Sequence, residues 1–157
     1  MTLKLIKENW SQFKIDRCRS KGTGCTFCAS LNFEHVILDC DAIKLAQKIP
    51  GKMSDCFIIE KRNTPYVAIV ELKGASYSIS GVCSQFEGGL LLATNILKQS
   101  GCDRYKIFPV FVSKNFRDGG KARALKQKGV VFNGKKHEIL FAKCGKRFSD
   151  IVLPKHK

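Results

Sequence analysis

The stretch from Asp55 to Lys73 constrains this chain more than any other. It holds two short apolar segments, Cys56–Glu60 (Cys-Phe-Ile-Ile-Glu) and Tyr66–Lys73 (Tyr-Val-Ala-Ile-Val-Glu-Leu-Lys), separated by the turn Lys61–Pro65. Short β-branched runs bounded by turn residues predict adjacent strands, and the density of Val and Ile in the second predicts a central one. The apolar run breaks only at its end, at Glu71 and Lys73. Side chains at i and i+2 on a strand share a face, so these two are neighbours, and Val67 and Ile69 continue that face into the core. A charged pair at the end of a buried strand is costly, which marks the position as one with a purpose.

The other periodicities complete the chain. Residues 1–17 predict a helix, with Leu3, Ile6, Trp10 and Phe13 at near-helical intervals. Residues 18–30 are broken by glycine and predict a loop. Phe33–Leu38 predicts a strand, and Asp41–Ile49 a helix ended by Pro50-Gly51. A longer helix is predicted from Gly81 to Gln99, with Val82, Phe86, Gly89, Ala93 and Leu97 along one side. Tyr105–Val112 predicts a strand, Lys121–Lys128 a short basic helix, and Val130–Phe132 with Glu138–Ala142 the strands that finish the sheet. The order predicts an α/β fold, with a mixed central β-sheet flanked by helices. Gly88-Gly89, unusual inside a helix, has two readings: close packing on the sheet, or approach of a phosphate backbone.

Asp55 opens the first strand of the pair and Glu71 closes the second. Pairing of those strands brings both carboxylates to one edge, where they suit a hard divalent cation, Mg²⁺ or Mn²⁺, with the Leu72 carbonyl as a third oxygen ligand. Such a cation polarises a scissile phosphate and lowers the pKa of an attacking water. Lys73, beside that water, would orient it or stabilise charge on the phosphate oxygens. The chemistry that fits is phosphodiester hydrolysis.

Asp55, then Glu71-Leu72-Lys73-Gly74, then Gln85 in the following helix, resembles the PD-(D/E)XK nuclease superfamily, which includes restriction endonucleases, archaeal Holliday-junction resolvases and RecB-type nucleases. The resemblance spans about residues 41–142. It implies a restriction-endonuclease-like αβββαβ core, Asp55, Glu71 and Lys73 as catalytic residues supported by Gln85, and Asp55, Glu71 and Leu72 as metal ligands. Ser54 stands where the pattern has proline. Many members add an acid from the first helix; Glu34, Asp39 and Asp41 are the candidates here, and without one a one-metal site is implied. The organisation read from this is one nuclease-like domain over 1–157, with a Cys-rich amino-terminal extension (1–40), a catalytic core (41–142) and a basic tail (143–157), expected to be mobile from Lys146.

Charge is distributed unevenly. The net charge is +15, and residues 98–157 carry 16 Lys/Arg against 4 Asp/Glu, so about +12 of it lies there. A one-sided positive field attracts polyanions, nucleic acid above all. Lys121, Arg123, Lys126, Lys128, Lys135 and Lys136 are the expected phosphate contacts, with Lys143, Lys146 and Arg147 extending the track. Such contacts position DNA without reading its sequence. With no recognition domain in view, the expected preference is for structure, as in a junction resolvase and as a homodimer. No apolar run is long enough to cross a bilayer, and the opening residues lack the apolar region of a signal peptide, so a cytoplasmic protein is expected.

The first four of the 8 cysteines follow the pattern Cys18-x6-Cys25-x2-Cys28-x11-Cys40. The C-x2-C element suits structural zinc, with His35 or Cys102 as alternative fourth ligands. Unliganded thiols are the second reading, and an iron–sulfur cluster, carried by some RecB-like nucleases, the third. Two function classes compete with a DNA nuclease: an inactive nucleic-acid-binding module, and an interaction subunit of a larger nucleic-acid-processing complex.

Overall fold

The computed structural model describes residues 2–20, 22–74, 76–116 and 119–152. In chain order the helices are α1 (Thr2–Asn9), α2 (Cys40–Gln47), α3 (Ile79–Gln99), α4 (Gly119–Lys128) and α5 (Phe148–Val152). The strands are β1 (Cys18–Arg19), β2 (Thr26–Phe27), β3 (His35–Asp39), β4 (Cys56–Glu60), β5 (Tyr66–Lys73), β6 (Lys106–Ser113), β7 (Val130–Phe132), β8 (Lys135–His137) and β9 (Leu140–Lys143). Among the described residues, five strands form one sheet in the order β3-β4-β5-β6-β9. The first two pairings are antiparallel and the last two parallel. This is the expected mixed central sheet flanked by helices.

The central strand β5 is buried at every position but Lys73, because both of its faces are covered. On one face Val67, Ile69 and Phe111 meet Phe86, Leu90, Ala93 and Leu97 of α3, together with Leu3 and Ile6 of α1. On the other, Ala68, Val70, Val110 and Val112 meet Phe27 of β2 and Phe148 and Val152 of α5. Residues 1–40, read as an extension, thus cover both faces of the sheet and supply its edge strand β3.

The glycines of α3 decide how near that helix lies. A Cβ on Gly89 would sit 2.5 Å from Ile69 Cγ2 and from Ser54 Oγ, and one on Gly88 would strike the Lys52 carbonyl. Close packing, rather than room for a phosphate, accounts for the pair.

Several segments depart from the sequence reading. The first helix ends at Asn9 and gives way to a single 3₁₀ turn, Ser11–Phe13, after which Ile15 donates to the Ile37 carbonyl on β3. The 18–30 loop contains the small β1–β2 hairpin. Val130–Phe132 does not join the main sheet but pairs with β8, because Asn133 (φ 52°) and Gly134 (φ 74°) form a tight two-residue turn. The basic tail is ordered as far as Val152, since Phe148 and Val152 are fully buried; residues 153–157 lie outside the described residues. No described helix is long and apolar enough to cross a membrane.

The far end of the β4–β5 pair is closed by Glu60, which is fully buried. One of its oxygens accepts from the Ser30 amide at 2.6 Å, and the other from Ser30 Oγ and from Arg62 at 2.7 Å. The Arg62 guanidinium lies over the rings of Phe33 and Tyr66.

Candidate active site at the strand ends

The β4–β5 register ends where Cys56 pairs with Val70, and Asp55 and Glu71 are the residues next beyond that last pair, close enough for their carboxyls to interact. The ladder stops there for a local reason. The Asp55 amide still donates to the Val70 carbonyl, but the Leu72 amide turns to the Asp55 carboxylate at 2.6 Å. A carboxylate thus replaces the next backbone rung. The N–H and C=O of one strand residue point the same way, so the Leu72 carbonyl lies on the Asp55 side of β5.

Glu71 is 1% exposed. Lys73 Nζ sits 3.0 Å from its Oε1, Oε2 is buried with no amine, amide or hydroxyl donor among the described residues, and the carboxyl lies within hydrogen-bonding reach of Asp55. Burial pushes Glu71 up to about 8, with the Asp55 charge adding to the shift and Lys73 opposing it. Burial likewise raises Asp55 to about 6, with the Leu72 amide opposing and Asp41 adding to the rise. Burial thus favours the protonated form of both carboxyls, and their closeness disfavours ionising both together.

A cleft of about 640 Å³ opens over these groups, lined among others by Asp41, Lys73 and Gln85. The structure thus brings Asp55, Glu71, Leu72, Lys73 and Gln85 together. Of the three further acids, Asp41 on the first turn of α2 lies in the cleft, close enough to raise both carboxyls. Asp39 also lines it but caps α2, accepting from the Ala42 amide at 3.1 Å. Glu34 lies at the other end of β3, paired with Lys7 at 2.9 Å and Lys61 at 3.7 Å.

The amino-terminal cysteines do not converge as a ligand set. Cys18 is bonded to Cys56 and Cys25 to Cys144, while Cys28 and Cys40 are free. Cys40 belongs to the core on the α1–α3 face, whereas Cys18 and Cys25 lie in the core on the opposite face. Among the described residues no group of three His, Cys, Asp or Glu side chains forms a ready metal cage. The expected zinc set is corrected to these disulfides.

The basic residues divide between surfaces. Lys121 lies over the ring of Tyr77, which lines a hollow adjoining the cleft. Arg123, Lys126 and Lys136 share a separate concavity, and Lys135 lines another with Tyr105 and Phe132. Lys128 is exposed on the last turn of α4. Residues that sequence reasoning missed stand nearer the acids: Arg17 and Arg19 in the cleft itself, and Lys44 and Lys52 in the adjoining hollow with Gln85. The signal was the alternation Arg17-Cys18-Arg19, too short to read as a strand. Comparison of the chain with protein-family models, with curated proteins and with solved structures yields no match.

Proposed function

We propose that this protein is a divalent-cation-dependent nuclease of the PD-(D/E)XK type, hydrolysing phosphodiester bonds in DNA. One observation carries the reading: the buried Glu71 carboxyl and the half-buried Asp55 carboxyl meet at adjoining strand ends, with a lysine 3.0 Å from one glutamate oxygen and no amine, amide or hydroxyl among the described residues on the other. Two carboxyls held together away from water with one amine beside them call for an explanation beyond stability. The donors are all hard oxygens, which suits Mg²⁺ or Mn²⁺. Asp55, Glu71 and the Leu72 carbonyl would hold the cation, with Asp41 within electrostatic range for a second.

When bound, a cation of this kind supplies Lewis acidity toward the phosphate and a lowered pKa for water. The residues supply the rest. Loading would favour the ionised form of Glu71, adding to the counter-charge that Lys73 already supplies. Asp55 is held in place by the Leu72 amide, so its free oxygen is oriented before any ligand arrives. Lys73 has its ammonium at the edge of the cleft, where it offsets charge building on the phosphate and aligns the nucleophilic water. Gln85 offers an amide to the same space. The strongly positive carboxyl-terminal region favours a polyanionic substrate.

The test is incubation with single-stranded, duplex and branched DNA, with and without Mg²⁺ or Mn²⁺. Cation-dependent cleavage is expected. Absence of cleavage for every DNA form with both cations would overturn the proposal.

A further inference from the structure

We infer that Arg17 and Arg19 form a phosphate clamp that seats the nucleic-acid backbone in the Asp55–Glu71 cleft. The inference rests on the nuclease reading for its substrate class, although the observations that support it are separate.

Both arginines are exposed and line the cleft that contains Asp55, Glu71 and Lys73. They flank Cys18, which is fully buried. Arg19 on β1 and Arg17 in the bend before it are both exposed on either side of the buried Cys18. Cys18 is bonded to Cys56, the residue that follows Asp55, with the two Cα atoms 5.9 Å apart. The arginines are therefore tied by covalent bonds to the strand that carries the first acid.

A hairpin with strands of only two residues has too few backbone pairings to hold a position unaided. This one is fixed at both ends. Beyond the Cys18–Cys56 bond, Cys25 is bonded to Cys144 just after β9, and the Gly145 amide donates to the Thr26 carbonyl at 2.8 Å. A surface fixed in this way presents its guanidinium groups at little entropic cost on binding.

Charge in the cleft gives them their task. Asp16, Asp39, Asp41, Asp55 and Glu71 line it, and among the described residues the facing cations are Arg17, Arg19 and Lys73. Lys73 is already paired with Glu71. Among the described residues, neither arginine has a carboxylate within salt-bridge distance. Without them a polyanion would meet a mainly acidic surface on this side. Guanidinium groups bind phosphate in a forked geometry that lysine does not reproduce.

The experiment compares the wild-type protein with Arg17→Ala/Arg19→Ala and Arg17→Lys/Arg19→Lys. Anisotropy of a fluorescent DNA oligonucleotide, with Ca²⁺ replacing Mg²⁺, is followed against salt concentration. Removing both arginines is expected to weaken binding by about tenfold or more and to lower the slope of log affinity against log salt by about 2. The lysine variant should keep the slope but recover only part of the affinity. With Mg²⁺, KM should rise in the alanine variant while kcat stays within about twofold, the pattern of lost uniform binding. Because both residues are exposed, thermal melts should be unchanged.

Equal affinity and salt slope in the alanine variant would overturn the clamp. Should wild-type protein bind DNA through these arginines yet cleave none of it, the nuclease reading falls and the clamp stands. Cation-dependent cleavage with arginine-independent binding does the opposite, keeping the nuclease and removing the clamp.

Discussion

Glu60 and Glu71 lie toward opposite ends of the β4–β5 pair, both shut away from water, and only Glu60 is surrounded by conventional donors among the described residues. It accepts from the Ser30 amide, the Ser30 hydroxyl and Arg62, whereas Glu71 has Lys73 on one oxygen and a second carboxyl, Asp55, within hydrogen-bonding reach. The same residue type serves as scaffold in one place and as a proposed coordination site in the other. Opposite responses to neutralisation should follow. Glu60→Gln leaves the Arg62 charge buried without its partner and should cost roughly 3–5 kcal/mol. Glu71→Gln removes a poorly solvated charge and should raise the melting temperature of the metal-free protein at pH 9. Calorimetric melts of both variants decide the point; destabilisation by Glu71→Gln at that pH would refute the contrast.

Stability and cation affinity should both depend on pH through the acidic pair. Burial raises Asp55 from 3.8 to about 6 and Glu71 from 4.5 to about 8. Across that range the folded protein holds more protons than the unfolded chain, so this pair contributes a loss of stability as pH rises from about 4 to about 8. A divalent cation takes the place of the proton, so its affinity should climb between about pH 6 and pH 8. Titration calorimetry with Mn²⁺ at pH 6 and pH 8 reads this directly; equal affinity at both would contradict it.

Asp55→Asn and Lys73→Ala should each reduce DNA cleavage by at least about a hundredfold, the scale of losing one preorganised charge. They should differ in what else they change. Asp55→Asn removes a proposed cation ligand and should weaken Mn²⁺ binding, while Lys73→Ala should leave the cation bound. Retained cleavage in either variant would remove that residue from the proposed machinery.

Gly88→Ala and Gly89→Ala should destabilise the protein although alanine favours helix by about 1 kcal/mol. The added methyl on Gly89 lies 2.5 Å from Ile69 Cγ2, and that on Gly88 strikes backbone. Overpacking of this kind costs typically 1–3 kcal/mol. Urea denaturation checks the sign; a gain in stability would show that α3 has room to move off the sheet.

Reduction should destabilise the fold through the hairpin and β9. Cys18–Cys56 and Cys25–Cys144 span separations of 38 and 119 residues. Chain-entropy estimates for such loops are about 4 and about 5 kcal/mol, and they are not additive because the loops overlap. Melting with and without dithiothreitol tests it; the reductant dithiol is oxidised as each protein disulfide gains two electrons and two protons. An unchanged melting temperature with full thiol titration would show that the bonds add nothing to stability.

The strands that carry the acids were legible because their signal is local. Cys56–Glu60 and Tyr66–Lys73 are apolar runs with sharp ends, and their structural bounds coincide with those read from the sequence. Which acid of the first helix faces the site was not legible, because the choice of Asp41 depends on how α2 meets β4. The disulfide partners are distant in the chain, and the Cys25-x2-Cys28 spacing pointed to a metal instead. The β7–β8 hairpin was signalled by Asn133-Gly134, and the apolar run at 139–142 masked it by suggesting that both segments join the main sheet. The alternation Arg17-Cys18-Arg19 was too short to place these residues until the bond at Cys18 fixed them beside Asp55.

Strands β5, β6 and β9 run the same way, and the register aligns Lys73 with Ser113 and Ser113 with Lys143. Three chain segments therefore leave the sheet side by side along the rim where the acids sit. Changes in length after Ser113 or Lys143 would therefore fall at the strand ends of the sheet and outside the residues that line the cleft. Such segments can vary without altering β4, Asp55 or Glu71.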